Sequence, residues 1–194
     1  MKKYIKESLT VLFLGAALTA CETQMVTPID LTSLEQGGYV RTVSPLSGTS
    51  PVRDFNVSKA NMGGTKMEIL AEAITPNSGA LLASYDLAVK FVDLTPANGT
   101  KSTTNEALKS FPASAFVKDA TTGYPRLTIA VTGAEALAAT KVAAADVSVG
   151  DRFEVTGTIK LTNGKSFSVT NTGTNILTGD FYASSFLYRL NVVL

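Results

Sequence analysis

The stretch that most constrains this chain lies near its C-terminal end. From Asp151 to Leu161 polar and apolar residues alternate, with Phe153, Val155, Gly157, Ile159 and Leu161 at every second position. Successive side chains of a strand point to opposite faces, so this period puts all five on one side of a half-buried strand. Thr162-Asn163-Gly164-Lys165 follows, and then a second run from Ser166 to Asn171. Asn-Gly between two such runs predicts a two-residue hairpin in a type I′ turn, which needs positive φ at both central residues. A hairpin with one apolar face is not stable alone, so the rest of the chain has to supply a second layer.

Other segments carry the same period. Met67, Ile69, Ala71 and Ala73 share one face of a strand over Lys66–Ile74, with Glu68, Leu70 and Glu72 on the other. Tyr85, Leu87, Val89 and Phe91 alternate with Asp86, Ala88 and Lys90, and Pro76-Asn77-Ser78-Gly79 supplies the turn between these two strands. Leu127, Ile129 and Val131 mark a further strand, and Phe186, Tyr188, Leu190 and Val192 mark one that runs to Leu194. Gly38–Val43 and Val52–Val57 are candidate strands on either side of a Ser/Pro/Gly loop. Glu106–Phe116 is ambiguous because Pro112 interrupts it, and Ala-rich Gly133–Val142 is the single convincing helix. Seven to nine short strands without a βαβ rhythm predict an all-β fold, an antiparallel immunoglobulin-like β-sandwich with one short helix, with a closed β-barrel as the alternative.

The other end of the chain reads as an export signal. Lys2, Lys3 and Lys6 precede an apolar run from Leu9 to Leu18, too short for a membrane span of about 20 residues. Leu18-Thr19-Ala20-Cys21 then resembles the bacterial lipobox, which is diacylated on the cysteine and cleaved before it. The same residues also fit an ordinary cysteine beside an ordinary cleavage site, or an uncleaved anchor helix. The lipoprotein reading accounts in addition for the single cysteine, an odd thiol in an exported chain. It divides the chain into a signal peptide (1–20), a lipidated Cys21 with a tether (21–37) and one sandwich domain (38–194). More than one acyl chain is needed for stable anchoring, and with no second cysteine the domain rests on its hydrophobic core.

Composition excludes several functions. Removing residues 1–20 of 194 leaves 174, enough for one domain with a sizeable core. Those residues hold 14 basic and 15 acidic side chains, so no electrostatic pull toward nucleic acid is expected. There is no histidine, and the one cysteine is committed to lipid, which removes Ser-His-Asp and Cys-His machinery, His- or Cys-built zinc sites and His-ligated haem. No cofactor and no metal site is implied.

Remaining chemistry would rest on carboxylates. Asp151 with Glu154, and Asp86 with Asp93, are the pairs available, and a glycosidase needs two carboxyls across a cleft, about 5–9.5 Å apart. Strand positions seven apart face opposite ways, so Asp86 and Asp93 do not converge; solvated strand faces and turn capping are the favoured roles for all four. Asp151, directly after Gly150, is read as accepting from nearby backbone amides. Asp93 with Asn98 offers oxygen to calcium, but the spacing matches no EF-hand loop. Asn61-Met62-Gly63-Gly64 is read as a turn, since no Gly-Lys-Ser/Thr follows to cradle a phosphate. Among the aromatics crowding the C-terminal end, Phe186 and Tyr188 alternate as core residues do. Tyr182 and its neighbour Phe181 must point opposite ways, and they are the candidate ligand-binding residues, a platform on which a sugar ring would stack.

The lipobox, the Tyr85–Phe91 strand, Gly150-Asp151-Arg152-Phe153, Leu161-Thr162-Asn163-Gly164-Lys165-Ser166-Phe167 and the stretch from Gly179 to Tyr188 together resemble exported lipoproteins of Bacteroidota. The resemblance covers mostly residues 38–194 and rests on style rather than on one motif. It implies a small immunoglobulin-like sandwich on the outer membrane, associated with nutrient-uptake systems of the starch-utilisation type, and it carries over no binding residues. The expectation is a non-enzymatic, lipid-anchored accessory protein whose partners are the membrane, through Cys21, and a glycan or an envelope protein. The alternative is a structural spacer or adhesin-like subunit without a small-molecule site. Glu22-Thr23-Gln24-Met25 lacks an acidic cluster, so either face of the outer membrane stays open.

Overall fold

A computed structural model describes residues 37–45, 52–178 and 186–194, apart from the side chains of Asn98 and Thr178. The lipobox with Cys21, the tether up to residue 36, and Phe181 and Tyr182 lie outside the described residues. Residues 36–194 form one compact unit.

The strands are β1 (Tyr39–Ser44), β2 (Val52–Ser58), β3 (Lys66–Ile74), β4 (Leu82–Val92), β5 (Glu106–Pro112), β6 (Val117–Lys118), β7 (Pro125–Thr132), β8 (Arg152–Leu161), β9 (Ser166–Phe167) and β10 (Leu187–Val193). They make two sheets, a four-stranded one in the order β1-β3-β7-β6 and a six-stranded one in the order β2-β10-β8-β4-β5, with β9 on β8. This is the expected all-β sandwich, and no closed barrel forms. The layers meet through the alternating apolar residues. Met67, Ile69, Ala71 and Ala73 of β3 face Tyr85, Leu87, Val89 and Phe91 of β4 and Phe153, Val155 and Ile159 of β8 in one core, all buried.

Three details depart from the sequence expectation. The six-stranded sheet is mixed, because β10 pairs in parallel with β2, from Leu187 opposite Val52 to Val193 opposite Ser58. The β8–β9 hairpin forms where expected, but not by a type I′ turn. Gly164 N–H donates to the Leu161 carbonyl at 3.0 Å and Leu161 N–H to the Lys165 carbonyl at 2.8 Å. Of the Asn-Gly pair only Gly164 takes a positive φ, 83°. A tight turn followed by one left-handed glycine gives the bulged hairpin, so one glycine suffices. Its second strand is only Ser166–Phe167, because Asn171 then turns the chain, its Oδ1 accepting from Ser168 N–H at 2.8 Å.

The helix expected at Gly133 is α1 (Gly133–Thr140). Thr132 Oγ1 accepts from Glu135 N–H and Glu135 accepts from Thr132 N–H, a capping box, and Lys141 ends the helix in the left-handed conformation. A second helical segment, α2 (Thr174–Thr178), was not foreseen. Between β3 and β4, Asn77, Ser78 and Gly79 all take positive φ in the Pro76–Gly79 turn. On β8, Gly157 lets Tyr85 cross the core, since a Cβ there would sit 2.0 Å from the tyrosine hydroxyl.

Candidate functional site

The outward faces of the two sheets each hold one carboxylate that is almost or wholly shielded from water. On the four-stranded sheet it is Glu72 of β3. Register sets Arg41 of β1 and Arg126 of β7 on either side of it. Its Oε1 accepts from Arg126 Nε and from Thr122 Oγ1, both at 2.8 Å, and its Oε2 accepts from Arg41 Nη2. Arg126 also donates to Asp119 Oδ2 at 2.7 Å, and Asp119 takes the Thr122 backbone N–H at 2.9 Å. Two cations meet two carboxylates, and no part of Glu72 is exposed. Burial pushes its carboxyl upward, but the bonds from Thr122, Arg126 and Arg41 outweigh this and hold it below the usual 4.5. The sequence placed Glu72 on the outward face without foreseeing that the Asp119–Thr122 turn and two arginines would enclose it.

On the six-stranded sheet the carboxylate is Glu154 of β8. Its neighbours in register are Arg189 of β10 and Lys90 of β4, and Asp54 of β2 stands beyond Arg189. Glu154 Oε2 pairs with Lys90 Nζ at 3.0 Å, and Oε1 with Arg152 through Nε at 2.8 Å and Nη2 at 2.7 Å. Arg189 Nε stands 3.8 Å from Oε1, outside hydrogen-bond range. Burial pushes the Glu154 carboxyl up, and Lys90 and Arg152 more than offset that, holding it below 4.5. Three cations surround one carboxylate, and they are 26–38 % exposed while Glu154 is 9 % exposed.

The carboxylates singled out from the sequence do not converge. Asp151 is fully buried at the corner leading into β8. Its Oδ1 accepts from Leu94 N–H at 2.9 Å, Thr95 N–H at 3.1 Å and Thr95 Oγ1 at 2.9 Å, and its Oδ2 accepts from Ser148 N–H at 2.6 Å. Asp86 sits on the outward face of β4, bonded to Ser110 Oγ at 2.6 Å and paired with Lys160 at 2.7 Å. Burial raises its carboxyl and Lys160 and Ser110 pull it below the usual range. Asp93 accepts from the backbone N–H of Thr95 and of Lys101, both at 2.9 Å, which holds the loop after β4. Its suggested calcium partner, Asn98, has its side chain outside the described residues. Among the described residues no group of three acidic, His or Cys side chains is arranged to hold a metal.

Asn61–Gly64 is a turn, closed by Gly64 N–H to the Asn61 carbonyl at 3.1 Å and to Asn61 Oδ1 at 2.9 Å. Phe186 and Tyr188 are buried core residues. The site that sequence reading missed is the cation set Lys90, Arg152 and Arg189. Each occupies an outward position of an alternating strand, but only the register brings Lys90 and Arg189 to either side of Glu154, with Arg152 two residues along β8. No known protein family matches this chain, and no curated protein matches it.

Proposed function

We propose that this chain is a lipid-anchored accessory protein of a Gram-negative cell envelope, non-enzymatic, that binds a glycan or a partner protein of an outer-membrane uptake or assembly complex. The observation that carries the reading is Leu18-Thr19-Ala20-Cys21 directly after an export signal. The non-enzymatic part draws support from the acids, since Asp86, Asp93, Asp151 and Glu154 are each engaged by different neighbours at different places. The fold class agrees with the small envelope sandwiches that the sequence resembles.

The alternative, a spacer or adhesin-like subunit joining partners by strand addition, draws less support, because the end strands β1, β2, β5 and β6 of the two sheets are blunted. On β2 Arg53 points inward and is buried. On β5 Lys109 reaches across to the Ala130 carbonyl at 2.7 Å, beside a bulge. β1 is bulged between Thr42 and Ser44, and β6 has two residues. The anchor is tested by Cys21→Ser, which abolishes lipid labelling and releases the protein from membranes; continued labelling contradicts it. Binding is tested on a glycan array, alongside crosslinking in intact cells, with the detergent-solubilised lipoprotein. Capture of neither a glycan nor an envelope protein overturns the reading.

A further inference from the structure

We propose that the outward face of the six-stranded sheet recognises an acidic glycan, one that carries carboxylate or sulfate groups, through Lys90, Arg152 and Arg189. This rests on the accessory-binding reading and names the class of ligand within it. The first ground is charge. Around Glu154 three cations meet two carboxylates, the shielded Glu154 and Asp54 opposite Arg189 in register, whereas around Glu72 two cations meet two carboxylates. Elsewhere on the same face Lys160 is matched with Asp86 at 2.7 Å, and beside Arg189 the Asp54 carboxylate accepts from the Asn191 amide at 3.1 Å.

The second ground is an unmet donor. Arg189 Nε–H is shielded from solvent and has no hydrogen-bond partner among the described residues, and the nearest carboxylate oxygen is 3.8 Å away. A guanidinium presents its donors in a fixed fork that suits a carboxylate or sulfate, and the Arg189 side chain, 33 % exposed, offers the outer part of that fork to an incoming anion. The other two cations are held on Glu154, Lys90 from β4 and Arg152 from β8 itself, so their side-chain freedom is already restricted before a ligand arrives.

The third ground is the surface between the charges. The outward residues of β2, β10, β8 and β4 include Asn56, Asn191, Thr156, Thr158 and Ser84, and no aromatic side chain. Hydroxyls and amides beside cations fit a polyhydroxylated anion, and these four strands present no ring on which a neutral sugar would stack. Lys90 and Arg189 lie on strands either side of β8, two spacings of about 4.8 Å apart. The row across the strands runs Lys90, Glu154, Arg189, Asp54, so an extended polymer meets the two cations on either side of the shielded Glu154, which a single small anion does not.

The test measures retention of the detergent-solubilised lipoprotein on immobilised polygalacturonate and dextran sulfate, with neutral dextran as the blank, over a salt series. Wild type binds both acidic polymers and not dextran. Arg189→Gln, which removes only a 3.8 Å pair and so is expected to fold, lowers the slope of log affinity against log salt by about one. Lys90→Gln with Arg189→Gln lowers it by about two and weakens binding about tenfold at low salt. Lys66→Gln, on the other sheet, leaves both unchanged, and Lys90→Arg with Arg189 intact keeps wild-type binding. Equal binding by wild type and Arg189→Gln overturns the proposal, as does an effect of these variants on phosphatidylglycerol vesicles but on neither polymer. Binding to a neutral glycan, or to an envelope protein alone, overturns this inference and leaves the accessory reading standing; binding to none of them overturns both.

Discussion

Glu72 and Glu154 hold the same position in different surroundings. Each is an outward-facing glutamate in the interior of a sheet, each is flanked in register by cations from both neighbouring strands, and each is held below the ordinary carboxyl range. Glu72 is closed over: the Asp119–Thr122 turn supplies a second carboxylate and a hydroxyl, and every charge has a partner. Glu154 has no such cover among the described residues, and its third cation stops short of it. A closed charge set fixes a structure, whereas an open one of the same kind leaves donors for something else.

The comparison is open to attack on the stability side first. Glu72→Gln leaves Arg41 and Arg126 without their shared counter-charge in a shielded place. The loss expected on unfolding in urea is about 3 kcal/mol, at the low end of the range for fully buried pairs because both arginines are partly exposed. A cost as small as that of a surface pair would show that the cluster is not closed. Asp151→Asn sharpens the contrast from another side, since this buried carboxylate is satisfied by three backbone amides and a hydroxyl, with no cation. It is expected to cost about 2 kcal/mol in the same assay, through a lost acceptor. Glu154→Gln comes last, at about 1 kcal/mol or less, because its cations reach water.

Acid separates the clusters as well. A carboxyl lowered on folding contributes stability that is complete above its ordinary value, 4.5 for Glu72, and is lost as pH falls through the lowered folded value. The stability gap between wild type and Glu72→Gln therefore narrows steadily below pH 4.5, as urea midpoints at successive pH values will show. A gap that stays constant into acid would mean that Glu72 does not titrate in that window.

Much of the fold was legible in the sequence because alternation is a local property. β3, β4, β7, β8 and β10 were read with their buried faces, from Met67 to Val192, and α1 through its alanines. The rest depended on relations between distant residues. Strand β5 resisted because Lys109 points inward to Ala130 and Glu135, which breaks the expected polarity, and Pro112 ends it. The parallel pairing of β2 with β10 joins Asp54 to Asn191, 137 residues apart, which no periodicity announces. The candidate site was hidden for the same reason. Lys90, Arg152 and Arg189 look like unrelated solvent-facing residues until register places them around Glu154, and the sequence alone sets Glu154 with Asp151, which faces elsewhere.

The most direct test of the open-cluster account is the affinity of Glu154→Gln for polygalacturonate at low salt, compared with wild type. The substitution keeps shape and removes the carboxylate around which Lys90, Arg152 and Arg189 are gathered. The account predicts tighter binding and a steeper salt dependence than wild type. Unchanged or weaker binding by a folded Glu154→Gln protein would contradict it, because the three cations would then not be what the polymer meets.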